Sequence, residues 1–119
     1  MNPKLKGVDP TLARKVEAVL EDMAYLGHAM CVTDGKRSYA RQLWLYAQGR
    51  TRPGKKVTWT LKSKHVDGNA VDCAFVVNGK PSWDESLPWL AYGEHAEARG
   101  LVWGGRWKSP DKPHVELRD

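Results

Sequence analysis

Residues 63–77 read SKHVDGNAVDCAFVV, and the second half of that stretch has the composition of a β-strand. From Ala70 to Val77 the side chains are small, β-branched or aromatic, and Gly68 just before them permits a turn that a bulkier residue resists. Alternation assigns the faces: Val71, Cys73 and Phe75 point to a core, while Ala70, Asp72 and Ala74 point the other way. Asp72 sits between two alanines on its face, with room beside the carboxylate for an ion and a substrate. His65, just before the turn, can fold back over it. An imidazole nitrogen and a carboxylate oxygen suit zinc, whose catalytic sites take three protein ligands and keep a fourth position for water.

A third ligand has to come from elsewhere, and residues 109–119, SPDKPHVELRD, offer His114. Read as a terminal strand, they place His114 and Glu116 on one face and Val115 and Leu117 on the other. Asp111 lies three residues before His114, where a loop can hold its carboxylate beside the metal without making it a ligand, as a general base requires. Gly104-Gly105 lets the backbone turn sharply after a short strand at 101–103, leaving Trp107 to shape the approach to Asp111 and His114.

The preceding chain supplies scaffold and one further polar group. Residues 1–9 read as a polar lead-in. Asp9 caps a helix opened by Pro10, with Leu12, Val16, Val19, Leu20, Met23 and Leu26 at helical spacing and Gly27 as its stop. A strand at 29–33 runs into the turn pair Asp34-Gly35, and Ser38 caps a helix over 39–48 whose Leu43 and Tyr46 are expected to pack inward. Arg37, held between these elements, can present a planar fork of donors to a substrate carbonyl or carboxylate. Gln42, one helical turn beyond Ser38, is a candidate for lining the cleft. Residues 49–63 form a long loop, relieved only by Val57-Thr58-Trp59, and loops of that length inside compact domains tend to be functional. Ser63 at its end suits a hydrogen bond to ligand or to local backbone. Residues 78–81 are turn-like, and 83–99 are mainly helical, capped by Asp84 or Ser86 and closed by Gly100. Glu94 and His95 on that helix lack metal-like spacing with another ligand and read as a solvated face.

Ser63-x-His65-x-x-Gly68-x-Ala70-x-Asp72, followed by Trp103-Gly104-Gly105-x-Trp107 and Asp111-x-x-His114, closely resembles the zinc D-Ala-D-Ala carboxypeptidase and L-alanyl-D-glutamate endopeptidase family, which includes phage endolysins and vancomycin-resistance D,D-peptidases. Arg37-Ser38-Tyr39-x-Arg41-Gln42 and residues 49–54, GRTRPG, extend the likeness over most of the chain. It implies an α+β fold of the Hedgehog/DD-peptidase kind, a small mainly antiparallel sheet with helices packed to one side. It implies one zinc ion on His65, Asp72 and His114, Asp111 as base, Arg37 as oxyanion partner, and Gln42, Ser63 and Trp107 along the substrate. The implied substrate is the peptidoglycan stem peptide, cut after L-Ala by an endolysin-like endopeptidase, with removal of a terminal D-Ala as the alternative.

Composition bounds the rest. At 119 residues, 41% hydrophobic and 28% charged, the chain is expected to be one monomeric zinc peptidase domain spanning 1–119, without a separate wall-binding module. A net charge of +5 attracts polyanions, and the basic clusters at 50–56 and 62–64 adjoin the expected site. No nucleic-acid motif accompanies that charge, so no specific nucleic-acid partner is expected. Six tryptophans read mainly as core or cleft wall, and Cys31 and Cys73 as free buried thiols. No apolar run is long enough to cross a bilayer and no signal-like segment opens the chain, so synthesis in the bacterial cytoplasm and action at the wall after release are expected. A competing class is a non-catalytic zinc-containing binding domain such as those of Hedgehog proteins, against which the Asp111 and His114 pairing speaks.

Overall fold

The computed structural model describes residues 2–58, 60 and 63–118. Trp59, expected to extend the short run at 57–58, lies outside the described residues, as do Leu61 and Lys62. The elements run α1 (Pro10–Tyr25), β1 (Met30–Asp34), α2 (Tyr39–Ala47), β2 (Ala70–Val77), β3 (Lys80–Ser82), α3 (Trp89–Ala98), β4 (Leu101–Trp103) and β5 (His114–Leu117). The sheet has the order β1-β2-β5-β4, with β3 continuing the edge of β2 beyond β5, and every pair is antiparallel.

β2 is the axis of the molecule because both of its edges are used. β1 pairs along one edge, while on the other β5 faces Ala70–Asp72 and β3 faces Phe75–Val77. The Asn78-Gly79 pair explains β3. Both residues have positive φ, 52° and 77°, as a tight hairpin turn demands, so the chain returns at once as a strand where only a turn was expected.

α1 and α3 cover one face of the sheet. Leu12, Val16, Val19 and Met23 of α1 meet Val71, Cys73 and Phe75 of β2, with Trp89, Tyr92, Leu101, Trp103 and Val115 completing the cluster. The α1 cap is as expected: the Asp9 carboxylate accepts from the backbone N–H groups of Thr11 and Leu12. Asp22 ties the two helices together by pairing with Arg99 and meeting the His95 ring at 3.3 Å, which puts His95 at a surface contact. The core reaches beyond the elements the sequence marked, since Leu5 and Val8 of the apparently polar lead-in are buried.

Two helices differ from expectation. α3 starts only at Trp89, after Pro88, and the Asp84 carboxylate caps an isolated turn by accepting from the N–H of Ser86. α2 turns neither Leu43 nor Tyr46 fully inward. Leu43 is 48% exposed, and the buried position of this helix is Gln42.

Candidate metal centre

Strand register builds the site. Asp72 lies opposite His114 on one side and opposite Asp34 on the other, so three adjacent strands bring these residues to one level of the sheet. The face is the one away from the apolar cluster, as alternation requires. His65 arrives from the turn before β2. The N–H groups of Gly68 and Arg37 both donate to the His65 carbonyl, and Ser63 Oγ accepts from the His65 N–H at 3.1 Å. Gly68 is needed there, for its φ is +74° and a Cβ would meet the Gly7 carbonyl oxygen at 2.6 Å.

One ligand atom each from His65, Asp72 and His114 lies within 4.8 Å of the other two. Asp72 Oδ1 is 3.4 Å from His65 Nε2 and 3.3 Å from His114 Nδ1, yet it is buried and makes no hydrogen bond with either ring. A buried carboxylate oxygen that faces two imidazole nitrogens without bonding to them is a set of lone pairs converging on one point. The far ring atoms fix the same arrangement. His65 Nδ1 lies 2.9 Å from the Gly35 carbonyl and His114 Nε2 lies 2.8 Å from Glu116 Oε1, so each ring donates outward and turns its lone pair inward. Glu116 is held in turn by Lys64 at 2.8 Å. The donor set fits a divalent cation.

Electrostatics follow from this crowding. Burial works to raise the Asp72 carboxyl, but His114 and His65 outweigh it and hold Asp72 well below the usual carboxylate range. Burial works to lower His114, and Asp72 with Glu116 and Asp111 overcomes it, raising the imidazole above its ordinary value. Asp111 stands apart, with Oδ2 3.9 Å from His114 Nδ1 and outside the three-residue cluster. Burial in the cleft wall, then the Asp72 charge, raise its carboxyl. Because the Asp111 side chain is still 48% exposed, solvent tempers that rise. Cys73 lies in the core with its thiol pushed up by burial to about 12, which removes it from both ligation and nucleophilic chemistry.

The site opens into a cleft of about 580 Å³ whose wall includes Arg37, Ser63, Trp107 and Asp111. The Trp107 ring stands 4.9 Å from that of His114. Arg37 is braced by Asp34 and by Gln42 Oε1, which accepts from Nη1 at 2.6 Å, while its buried Nε has no partner among the described residues.

Residues 56–117 match the M15 peptidase family model described as D-alanyl-D-alanine carboxypeptidase. The peptidoglycan L-alanyl-D-glutamate endopeptidase CwlK of Bacillus subtilis (strain 168) is 33% identical, over 97% of this chain and 76% of its own length. The chain belongs to the M15 peptidase family. Among solved structures, the Serratia marcescens L-Ala D-Glu endopeptidase ChiX is similar at a TM-score of 0.77 and 29% identity, covering 97% of this chain and 84% of that one. The vancomycin-resistance D,D-pentapeptidase VanY, solved with Zn(II), shares the fold at a TM-score of 0.68 and 15% identity, over 92% of this chain and 72% of its own.

In this M15 peptidase, one expected cleft residue is placed elsewhere. Gln42 is fully buried, its amide donating to the Thr60 carbonyl at 2.6 Å and its oxygen taken by Arg37. It positions Arg37 and the long loop instead of meeting substrate, because the helix face expected to hold Leu43 and Tyr46 inward is rotated away. Three site residues were not anticipated in these roles: Asp34 behind Arg37, the Gly35 carbonyl behind His65 and Glu116 behind His114. Glu116 alone had a legible signal, sharing a strand face with His114 two residues away.

Proposed function

We propose that this peptidoglycan peptidase holds one zinc ion on His65, Asp72 and His114 and hydrolyses the bond between L-Ala and D-Glu of the stem peptide. The observation that carries the metal is the spacing of the donors. Ligands about 2.0–2.1 Å from a tetrahedral zinc stand about 3.3 Å from one another, and the Asp72 oxygen lies 3.4 and 3.3 Å from the two ring nitrogens. Two neutral imidazoles and one carboxylate also suit zinc chemically. When bound, the ion supplies Lewis acidity that polarises a carbonyl and lowers the pKa of water.

The chain's own residues do the remainder. Asp111, outside the ligand set and at the cleft, takes a proton from the attacking water and delivers it to the leaving amine nitrogen. Its raised pKa helps the first transfer, because a more basic carboxylate takes the water's proton more readily. Arg37, in the cleft wall, lends its positive charge to the carbonyl oxygen as negative charge develops there, and the Asp34 and Gln42 braces mean it need not reorganise to do so. Trp107 walls the cleft against His114, and Ser63 reaches the cleft while its hydroxyl oxygen accepts from the His65 N–H.

The choice of bond is supported by the two endopeptidases at 33% and 29% identity. Removal of a terminal D-Ala is the second reading, favoured by the description of the matching family model. Digestion of purified peptidoglycan with zinc-loaded and chelator-treated protein, followed by mass analysis of the ends, separates them. New N-terminal D-Glu that disappears with the chelator is the expected result. Loss of terminal D-Ala alone selects the carboxypeptidase, and cleavage that survives chelation overturns the zinc assignment. The phage-type lysis role, action as a single-domain monomer and release to the wall from the cytoplasm are proposed with it. A clearing zone around a co-expressed membrane-permeabilising protein, with a monomer mass in light scattering, is the corresponding test.

A further inference from the structure

Residues 35–66 contain nine lysines and arginines and no aspartate or glutamate, whereas the remainder of the chain has ten basic and fourteen acidic residues. All of the net positive charge therefore resides in the segment between β1 and β2. The fold gathers it further. The guanidiniums of Arg52 and Arg41 lie over the Trp44 ring at 3.5 and 4.5 Å, Arg50 lies over Tyr46 at 3.8 Å, and Gln48 folds the loop back by donating to the Lys55 carbonyl. Among the described residues, no carboxylate pairs with Arg41, Arg52 or Lys55.

We propose that this α2-and-loop face docks carboxylates of peptidoglycan stem peptides neighbouring the one being cut; the idea rests on peptidoglycan as the substrate. Arg50 and Arg52 spend donors on the Tyr46, Thr58 and Trp44 carbonyls and on Gln48 Oε1, which anchors the loop. Arg41 over the Trp44 ring and the exposed Lys55 present their charge outward, and a guanidinium matches a carboxylate with two parallel bonds. The surface is continuous with the cleft, since Arg50 bonds the Thr58 carbonyl and Thr58 and Thr60 stand in the cleft wall beside Arg37. Peptidoglycan presents stem carboxylates repeatedly along a mesh, so a cationic face at the cleft edge raises the local concentration of cuttable bonds. Single-stranded nucleic acid fits less well, because it needs open aromatic platforms and the Trp44 ring is already taken by arginines.

The test is retention on insoluble wall by zinc-loaded protein in an Asp111→Ala background, compared with two charge reversals of equal size. Arg41→Glu with Lys55→Glu alters the face, and Arg14→Glu with Lys80→Glu alters exposed positions elsewhere. The first pair is expected to weaken retention about tenfold at low salt and the second less than about twofold. Amidating the wall carboxyls should abolish the difference, and stripping phosphodiester polymers should leave it. Equal losses from both pairs, no loss from either, dependence on the phosphodiester polymers, or stronger face-dependent retention on duplex DNA would each overturn the proposal. Thermal melts confirm that both pairs are folded. Cleavage of a soluble stem peptide by the unaltered protein keeps the two readings apart. An uncut soluble peptide with face-dependent retention sinks the proposed function alone, and a cut peptide with face-independent retention sinks the docking surface alone.

Discussion

Asp72 shows how a single residue can be over-determined. Its Cα is paired across two strand edges, its oxygen is buried without a hydrogen bond, and both neighbouring imidazoles turn lone pairs toward the same point. Asp111 differs from it in reach and exposure, so the two carboxylates should separate cleanly on mutation. Asp111→Ala is expected to keep one zinc per chain by elemental analysis while turnover falls by about 10²–10⁴. Loss of zinc from that variant would make Asp111 a ligand. Glu116 acts through His114, since its carboxylate fixes the ring with the proton on Nε2. Glu116→Ala should weaken zinc binding by about 10–100-fold in a chelator competition, and Glu116→Gln, which can still accept that bond, should restore most of it.

At the level of elements, the connection from β4 to β5 sets the distance between Asp111 and the His65, Asp72 and His114 cluster. Gly104 accepts from the Asp111 and Trp107 N–H groups, and a Cβ at Gly104 would meet the Asp111 carbonyl oxygen at 2.5 Å. Backbone cannot yield as a flexible side chain would. Gly104→Ala is therefore expected to cost about 1–3 kcal/mol in denaturant unfolding and to lower kcat by a larger factor than it lowers zinc affinity. Local signals reached this far. Alternation placed Asp72, His114 and Glu116 on one face, and turn chemistry placed His65 over them. The role of Gln42 was not legible, because which side of a nine-residue helix is buried depends on Thr58 and Thr60, distant in sequence, which accept from the Gln42 amide. The Gly35 carbonyl behind His65 was hidden for a similar reason: a main-chain oxygen has no residue type to announce it, and its partner lies 30 positions away.

For the molecule as a whole, stability and metal binding should respond oppositely to pH. Without metal, the lowered Asp72 pKa contributes stability above its unfolded value near 3.8, lost as pH falls toward its depressed folded value. The raised His114 pKa contributes stability below 6.5, lost as pH rises through its folded value. Metal requires the deprotonated ring, so its contribution grows in the very range where the proton's declines. The gap in Tm between zinc-loaded and chelated protein is expected to widen from about pH 6 to pH 8. A gap that narrows on scanning calorimetry would contradict this. The ligand positions also carry a mechanical consequence. An ion on residues 65, 72 and 114 would clasp mid-chain to β5, and closing so long a loop restricts chiefly the unfolded chain. Cys31 and Cys73 remain unbonded thiols, so the fastening that small folds often entrust to sulfur would fall to coordination instead. Reducing agents would leave such a molecule intact, whereas a chelator would disarm it and loosen it in the same stroke.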